Sequence, residues 1–115
     1  MQYYIYINLK KNIKRKKHME KLLKKLKVKY ERFNAIKPEK TKILKIKNKL
    51  SNKVVNFLEN KNTEKRAIGI VGCSCSHYYV LLRAKELDYD YITVLEDDVS
   101  FTQKSINKLN KIIII

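Results

Sequence analysis

The first 36 residues switch from a strand pattern to a helix pattern and back, which restricts the fold more than any other feature of the chain. Residues 3–7 are aromatic or β-branched throughout, as in a strand buried on both faces of a parallel sheet. A stripe of apolar residues at helical spacing follows, made up of Met19, Leu22, Leu23 and Leu26. Residues 28–36 then alternate between apolar and polar side chains, which predicts a second strand. A strand–helix–strand unit of this length predicts an α/β fold with parallel strands.

The remainder of the chain continues the same pattern. Apolar residues recur at helical spacing over residues 40–62, which predicts one or two helices, and residues 90–95 predict a third strand. A last amphipathic helix is predicted by Ile106, Leu109, Ile112 and Ile113. The order β-α-β-α-α-β-α predicts one domain over residues 1–115, with a mostly parallel, Rossmann-like sheet flanked by helices.

Both glycines of the chain, Gly69 and Gly72, lie just before another helical stripe. Two glycines this close together indicate a tight turn or a close approach of two backbone segments. With a turn at this position, Ser74 or Ser76 is the predicted N-cap of the helix that follows.

Three consecutive acidic residues, Glu96, Asp97 and Asp98, follow the third predicted strand directly. In an extended chain Glu96 and Asp98 point to one side and Asp97 to the other. Two carboxylates on one side suit a hard cation such as Mg²⁺ or Mn²⁺, which in turn binds diphosphate oxygens. The alternative is that the acids cap the next helix or neutralise nearby lysines. Since parallel sheets bind ligands at the carboxyl ends of their strands, we expect Asn8 to lie near the acids if the two strands are neighbours.

The formal net charge of +16 raises the possibility of a nucleic-acid partner. The lysines are spread over all segments, however, and a compositional bias typical of an AT-rich genome explains them without a function. No nucleic-acid-binding motif, Gly-x-Gly-x-x-Gly sequence or P-loop is present. A small basic polyanion-binding protein without enzymatic activity is therefore kept as the alternative, and nucleic acid is not the expected partner.

Cys73, Cys75 and His77 are a possible metal set, but zinc sites need four ligands, and His18 lies in a distant basic segment. The alternatives are small residues packing a helix under the sheet, or Ser76 and His77 lining the same cleft as the acids. The two cysteines are too close for a disulfide framework, and reduced thiols are expected. No signal peptide or membrane-spanning segment is apparent, so a cytoplasmic location is expected.

Four segments occur in a fixed order: residues 5–9 with Arg15 after them, residues 30–36, residues 69–77 with a Gly-Cys-x-x-Ser-His pattern, and residues 95–99 with Leu-Glu-Asp-Asp-Val. Together they resemble the N-terminal half of glycosyltransferase family 25. That family includes bacterial lipooligosaccharide galactosyltransferases and collagen hydroxylysine galactosyltransferases.

The resemblance implies a GT-A-type domain that uses a nucleotide sugar, typically UDP-galactose, with Mn²⁺, in lipopolysaccharide biosynthesis or on a hydroxylysine-type protein acceptor. Glu96, Asp97 and Asp98 resemble the acidic metal and donor motif, with Asp98 in direct contact with the metal and Glu96 beside it. The other matched donor-side residues are Asn8, Leu9, Arg15, Ser76 and His77. No catalytic base is assigned, and His77 and Asp97 are the local candidates.

The sequence departs from the family pattern at two positions that bear on donor affinity. Lys10 replaces a common acid, and the arginine that the family commonly has near Asn12 is missing. Because family members continue beyond the matched half, we expect a truncated relative that retains donor binding, or a fragment that is inactive alone.

Overall fold

The computed structural model describes residues 3–102, 104–105 and 107–108. Its elements are β1 (Tyr3–Asn8), α1 (Ile13–Lys25), β2 (Lys29–Asn34), α2 (Lys40–Leu44), a 3₁₀ turn (Lys47–Lys49), α3 (Asn52–Glu59), α4 (Glu64–Glu86) and β3 (Ile92–Glu96). The strands follow the predicted order, and three helices separate β2 from β3 where the predicted order has two. The apolar residues of the predicted last helix, Ile106, Leu109, Ile112 and Ile113, lie outside the described residues.

The three strands form one sheet in the order β2-β1-β3, so β1 is the central strand. β1 and β3 run parallel, in a register that pairs Tyr3 with Ile92 and Ile7 with Glu96. The predicted α/β class with a parallel sheet is thereby confirmed. Because parallel strands end at the same edge, Asn8 at the end of β1 lies beside the residues that follow β3.

The chain forms two compact units, residues 1–32 with 89–115 and residues 33–88. In the described part of the first unit, Tyr4 and Tyr6 of β1 pack with Met19 and Leu23 of α1, and all four are fully buried. The alternate residues of β1, Ile5 and Ile7, are also buried. A strand buried on both faces explains why residues 3–7 carry no polar side chain apart from tyrosine hydroxyls.

The buried tyrosines are expected to make the fold sensitive to alkali. Burial raises the pKa of Tyr4 above its ordinary value of 10.0. Burial first, and then the hydrogen bond that the Tyr6 hydroxyl donates to Glu20 Oε2 at 2.6 Å, raises the pKa of Tyr6 strongly. The pKa values of both tyrosines are higher in the folded state than in the unfolded state. The stability that their neutral hydroxyls contribute is therefore complete below about pH 10 and is lost as the pH rises above it.

Titration should therefore show the tyrosinate absorbance of these residues appearing together with the loss of circular dichroism. Tyr6→Phe is expected to lower stability at neutral pH and to flatten its alkaline decline. Ionisation of all tyrosines at pH 10 in a still folded protein would contradict this.

The second unit is built around α4, whose Ala67 and Val71 pack with Ile43 of α2 and Leu58 of α3. Gly69 and Gly72 lie inside α4, so the predicted tight turn is wrong. The prediction of Ser74 or Ser76 as the N-cap is also wrong, because α4 begins at Glu64, ten residues before Ser74. Within the described part of the chain, no helix has both the length and the apolar character needed to cross a bilayer.

Gly72 satisfies the other explanation of the glycine pair, a close backbone approach. A Cβ atom at this position would lie 2.6 Å from the carbonyl oxygen of Ile36 and 3.1 Å from Cδ of Pro38. Nothing lies within 4 Å of the corresponding position at Gly69. The segment after β2 therefore contacts α4 directly at its glycine.

Candidate functional site

Polar side chains from β1, from α1 and from the turn after β3 meet at the carboxyl edge of the sheet. The Asn8 amide donates a hydrogen bond from Nδ2 to Asp97 Oδ2 at 2.8 Å, across 89 residues of sequence. The expected proximity of Asn8 to the acidic cluster is therefore confirmed. It follows from the parallel pairing of β1 with β3, which brings the two strand ends together.

The acidic cluster itself is a turn and not an extended segment. β3 ends at Glu96, and the Val99 backbone N–H donates to the Glu96 carbonyl oxygen at 3.3 Å. The predicted alternation of side chains thus fails after Glu96. Asp97 turns towards Asn8 with 13% of its side chain exposed, whereas Glu96 and Asp98 are exposed to solvent.

Arg15 approaches Asp97 from the first turn of α1. Asn12 caps this helix by accepting a hydrogen bond from the Arg15 backbone N–H at 3.3 Å. Arg15 Nη1 donates to Asp97 Oδ1 at 3.3 Å, so each oxygen of Asp97 has a donor partner. The Arg15 side chain remains 54% exposed, which leaves part of its guanidinium group accessible to an anion.

Asn8 is the centre of this network and is 1% exposed. Its Nδ2 also donates to the Asn12 carbonyl oxygen at 3.2 Å. Arg32 of β2 donates from Nε to Asn8 Oδ1 at 2.9 Å and from Nη2 to the Asn8 carbonyl oxygen at 3.0 Å. Asn8 thereby connects four elements, and its side chain serves to hold neighbouring groups in place.

Arg32 was missed as a site residue by sequence reasoning. The available signal was a charged residue in the alternating strand that pairs with β1. Leu9, by contrast, contributes through its backbone, because its carbonyl oxygen accepts a hydrogen bond from Asn12 N at 2.9 Å and closes the turn into α1.

Ser76 and His77 lie on α4, in the second unit. Ser76 is 2% exposed, and its Oγ accepts from Ile36 N and donates to the Gly72 carbonyl oxygen, both at 2.8 Å. This places the Ser76 hydroxyl at the joint between α4 and the segment after β2. The role of Ser76 and His77 in donor binding stays a prediction.

The helical geometry of α4 also bears on the possible zinc set. Cys73 and His77, four residues apart, share one face of the helix. Cys75 instead packs against the second-unit core. These three side chains therefore do not converge on one point of α4.

The acidic cluster has the donor chemistry for a hard divalent cation. Glu96 and Asp98 present exposed carboxylates on either side of Asp97. No hydrogen-bond or ion-pair partner of Asp98 occurs among the described residues. Carboxylate oxygens are preferred ligands of Mg²⁺ and Mn²⁺, so the residues present fit such an ion, and the Asp98 carboxylate is accessible to it.

Comparison with known proteins gives one family assignment. The family model "Glycosyltransferase family 25 (LPS biosynthesis protein)" matches residues 1–114. This match confirms the resemblance drawn from the four ordered segments. None of the curated proteins matches the chain.

Proposed function

Because the chain belongs to glycosyltransferase family 25, we propose that it binds a nucleotide-sugar donor at the carboxyl edge of its sheet. In the proposed reaction, a GT-A-type domain transfers the sugar, specifically galactose from a UDP-sugar, to a hydroxyl group of the acceptor. The acceptor is a glycan or a hydroxylysine-type protein. The observation that carries the proposal is the Asn8–Asp97–Arg15 network, which builds a polar site where parallel α/β sheets bind ligands.

The donor diphosphate is expected to lie against Arg15 and the start of α1. An arginine guanidinium binds phosphate oxygens through charge-assisted hydrogen bonds, and more than half of the Arg15 side chain is exposed. The N-terminus of a helix also favours anions, and α1 has 13 residues. Lys14, exposed in the same turn, adds to the positive potential.

The cation, Mn²⁺ or Mg²⁺, would be held by Asp98 with Glu96 beside it. When bound, such an ion offsets the negative charge that develops on the departing nucleoside diphosphate. Asp97 has a different role, since both of its oxygens already accept hydrogen bonds from Asn8 and Arg15. It fixes the turn that carries Asp98 and orients the Arg15 guanidinium group towards the donor.

Thermal unfolding with UDP-galactose and Mn²⁺ together tests the proposal. At a ligand concentration of about 100 times Kd, a stabilisation of about 2.7 kcal/mol is expected. Asp98→Asn should abolish it, because the amide lacks the negative charge that the cation requires. Asp90→Asn is the matched control, since Asp90 is also exposed but precedes β3 at the opposite edge of the sheet.

The proposal is wrong if no nucleotide sugar stabilises the protein in the presence of Mn²⁺. The polyanion-binding alternative predicts instead that DNA binds with a steep salt dependence that Asp98→Asn leaves unchanged. Salt titrations of the unmodified protein and of Asp98→Asn with a DNA duplex distinguish the two functions.

A further inference from the structure

Arg32 holds Asn8 at two points, which sets it apart from an ordinary surface arginine. Its Nε donates to the side-chain oxygen of Asn8 at 2.9 Å, and its Nη2 donates to the main-chain oxygen of the same residue at 3.0 Å. The planar guanidinium group offers two N–H groups in a fixed geometry, so the pair of bonds fixes the Asn8 side chain relative to its own backbone.

The two hydrogen bonds from Arg32 determine the orientation of the Asn8 side-chain amide. With Oδ1 turned to Arg32, Nδ2 is directed to Asp97 Oδ2 at 2.8 Å and to the Asn12 carbonyl oxygen at 3.2 Å. The reversed amide would place its oxygen against the Asp97 carboxylate and its N–H groups against the guanidinium. Both contacts would be repulsive, so Arg32 and Asp97 together select one orientation.

We infer that Arg32 is a positioning residue of the donor site, acting on Asp97 through Asn8. The inference rests on the proposed function and extends it to a third strand: Arg32 of β2, Asn8 of β1 and Asp97 after β3 form one chain of hydrogen bonds that ends at Arg15. The positive charge of Arg32 polarises the Asn8 amide and strengthens its bond to the carboxylate.

A double-mutant cycle tests this, with UDP and Mn²⁺ as the probe and calorimetric titration as the measurement. Arg32→Lys keeps the charge but loses the paired geometry, and should weaken UDP binding about 10- to 100-fold, as expected for a residue that orients a binding group. In an Asp97→Asn background the same change should cost less than about twofold, because the group that Arg32 positions is already altered. Arg83→Lys, which alters an arginine paired with Glu86 on α4, should leave affinity unchanged.

Equal losses in both backgrounds would overturn the inference while leaving the proposed donor site intact. Failure of the unmodified protein to bind UDP with Mn²⁺ would remove both. Thermal unfolding of each variant is measured first, and Arg32→Gln replaces Arg32→Lys if the latter is unfolded. If neither variant folds, Arg32 serves folding and not positioning, and the inference is wrong.

Discussion

Replacing Gly72 with alanine is expected to destabilise the protein by about 3 kcal/mol, the upper part of the usual range for overpacking. The added Cβ would lie 2.6 Å from the Ile36 carbonyl oxygen, a backbone atom that cannot rotate away. The close approach is reinforced one turn later, where Ser76 Oγ accepts the Ile36 N–H and donates to Gly72 O. Relief of the clash would therefore require breaking the hydrogen bonds of Ser76 or shifting α4.

Gly69→Ala is the matched control in the same helix. The new methyl group would meet nothing within 4 Å, so only helix propensity changes, and a stabilisation of about 0.5–1 kcal/mol is expected. Chemical denaturation of the two variants measures both values. Equal effects of the same sign would contradict the packing described at Gly72.

Asn8→Leu is expected to have the larger effect, a loss of about 3–5 kcal/mol in the free energy of unfolding, because two charged groups each lose a hydrogen bond at a buried position. Leucine has the branched shape of asparagine and is larger, so no cavity is left, and the loss is due to the missing hydrogen bonds together with some overpacking. Arg32 would lose the bond from its Nε, and Asp97, with 13% of its side chain exposed, would lose its bond from the amide. Binding of UDP with Mn²⁺ should weaken as well, since Asp97 then keeps only its bond from Arg15 and is no longer held to β1.

Denaturant titration and UDP calorimetry measure the two consequences separately. Asn56→Leu, on the exposed side of α3, should change stability by no more than about 0.5 kcal/mol. If Asn8→Leu lowers the free energy of unfolding by less than about 1 kcal/mol, the hydrogen bonds of Asn8 do not stabilise the fold as described.

The sheet and the position of the site could be predicted because runs of aromatic and β-branched residues mark strands clearly. Residues 3–7 and 90–95 predicted two strands, and the structure has them at Tyr3–Asn8 and Ile92–Glu96. Parallel pairing then required Asn8 and the acidic cluster to share one edge. These inferences depend on local periodicity and on a general property of parallel sheets, both of which can be read from one sequence.

Other features depend on tertiary structure and could not be predicted. A glycine pair is compatible with a turn or with a close approach, and only the packing of Ile36 on α4 decides in favour of the approach at Gly72. The importance of Arg32 follows from the strand order, which places β2 next to β1. The Asp97 side chain points inward because β3 ends at Glu96, one residue before it, and the alternation of side chains along a strand does not extend into a turn.

The pairing of β1 with β3 also has a consequence for how the protein is made. The bond between Asn8 and Asp97 joins residues 89 positions apart, so β1 can pair with β2 early but with β3 only after most of the chain has been made. Closing so long a loop makes for slow folding, and until β3 pairs with it, one edge of β1 is open to aggregation. The donor site can thus form only late on the ribosome, after β3 has emerged, and early chaperone binding to β1 is expected.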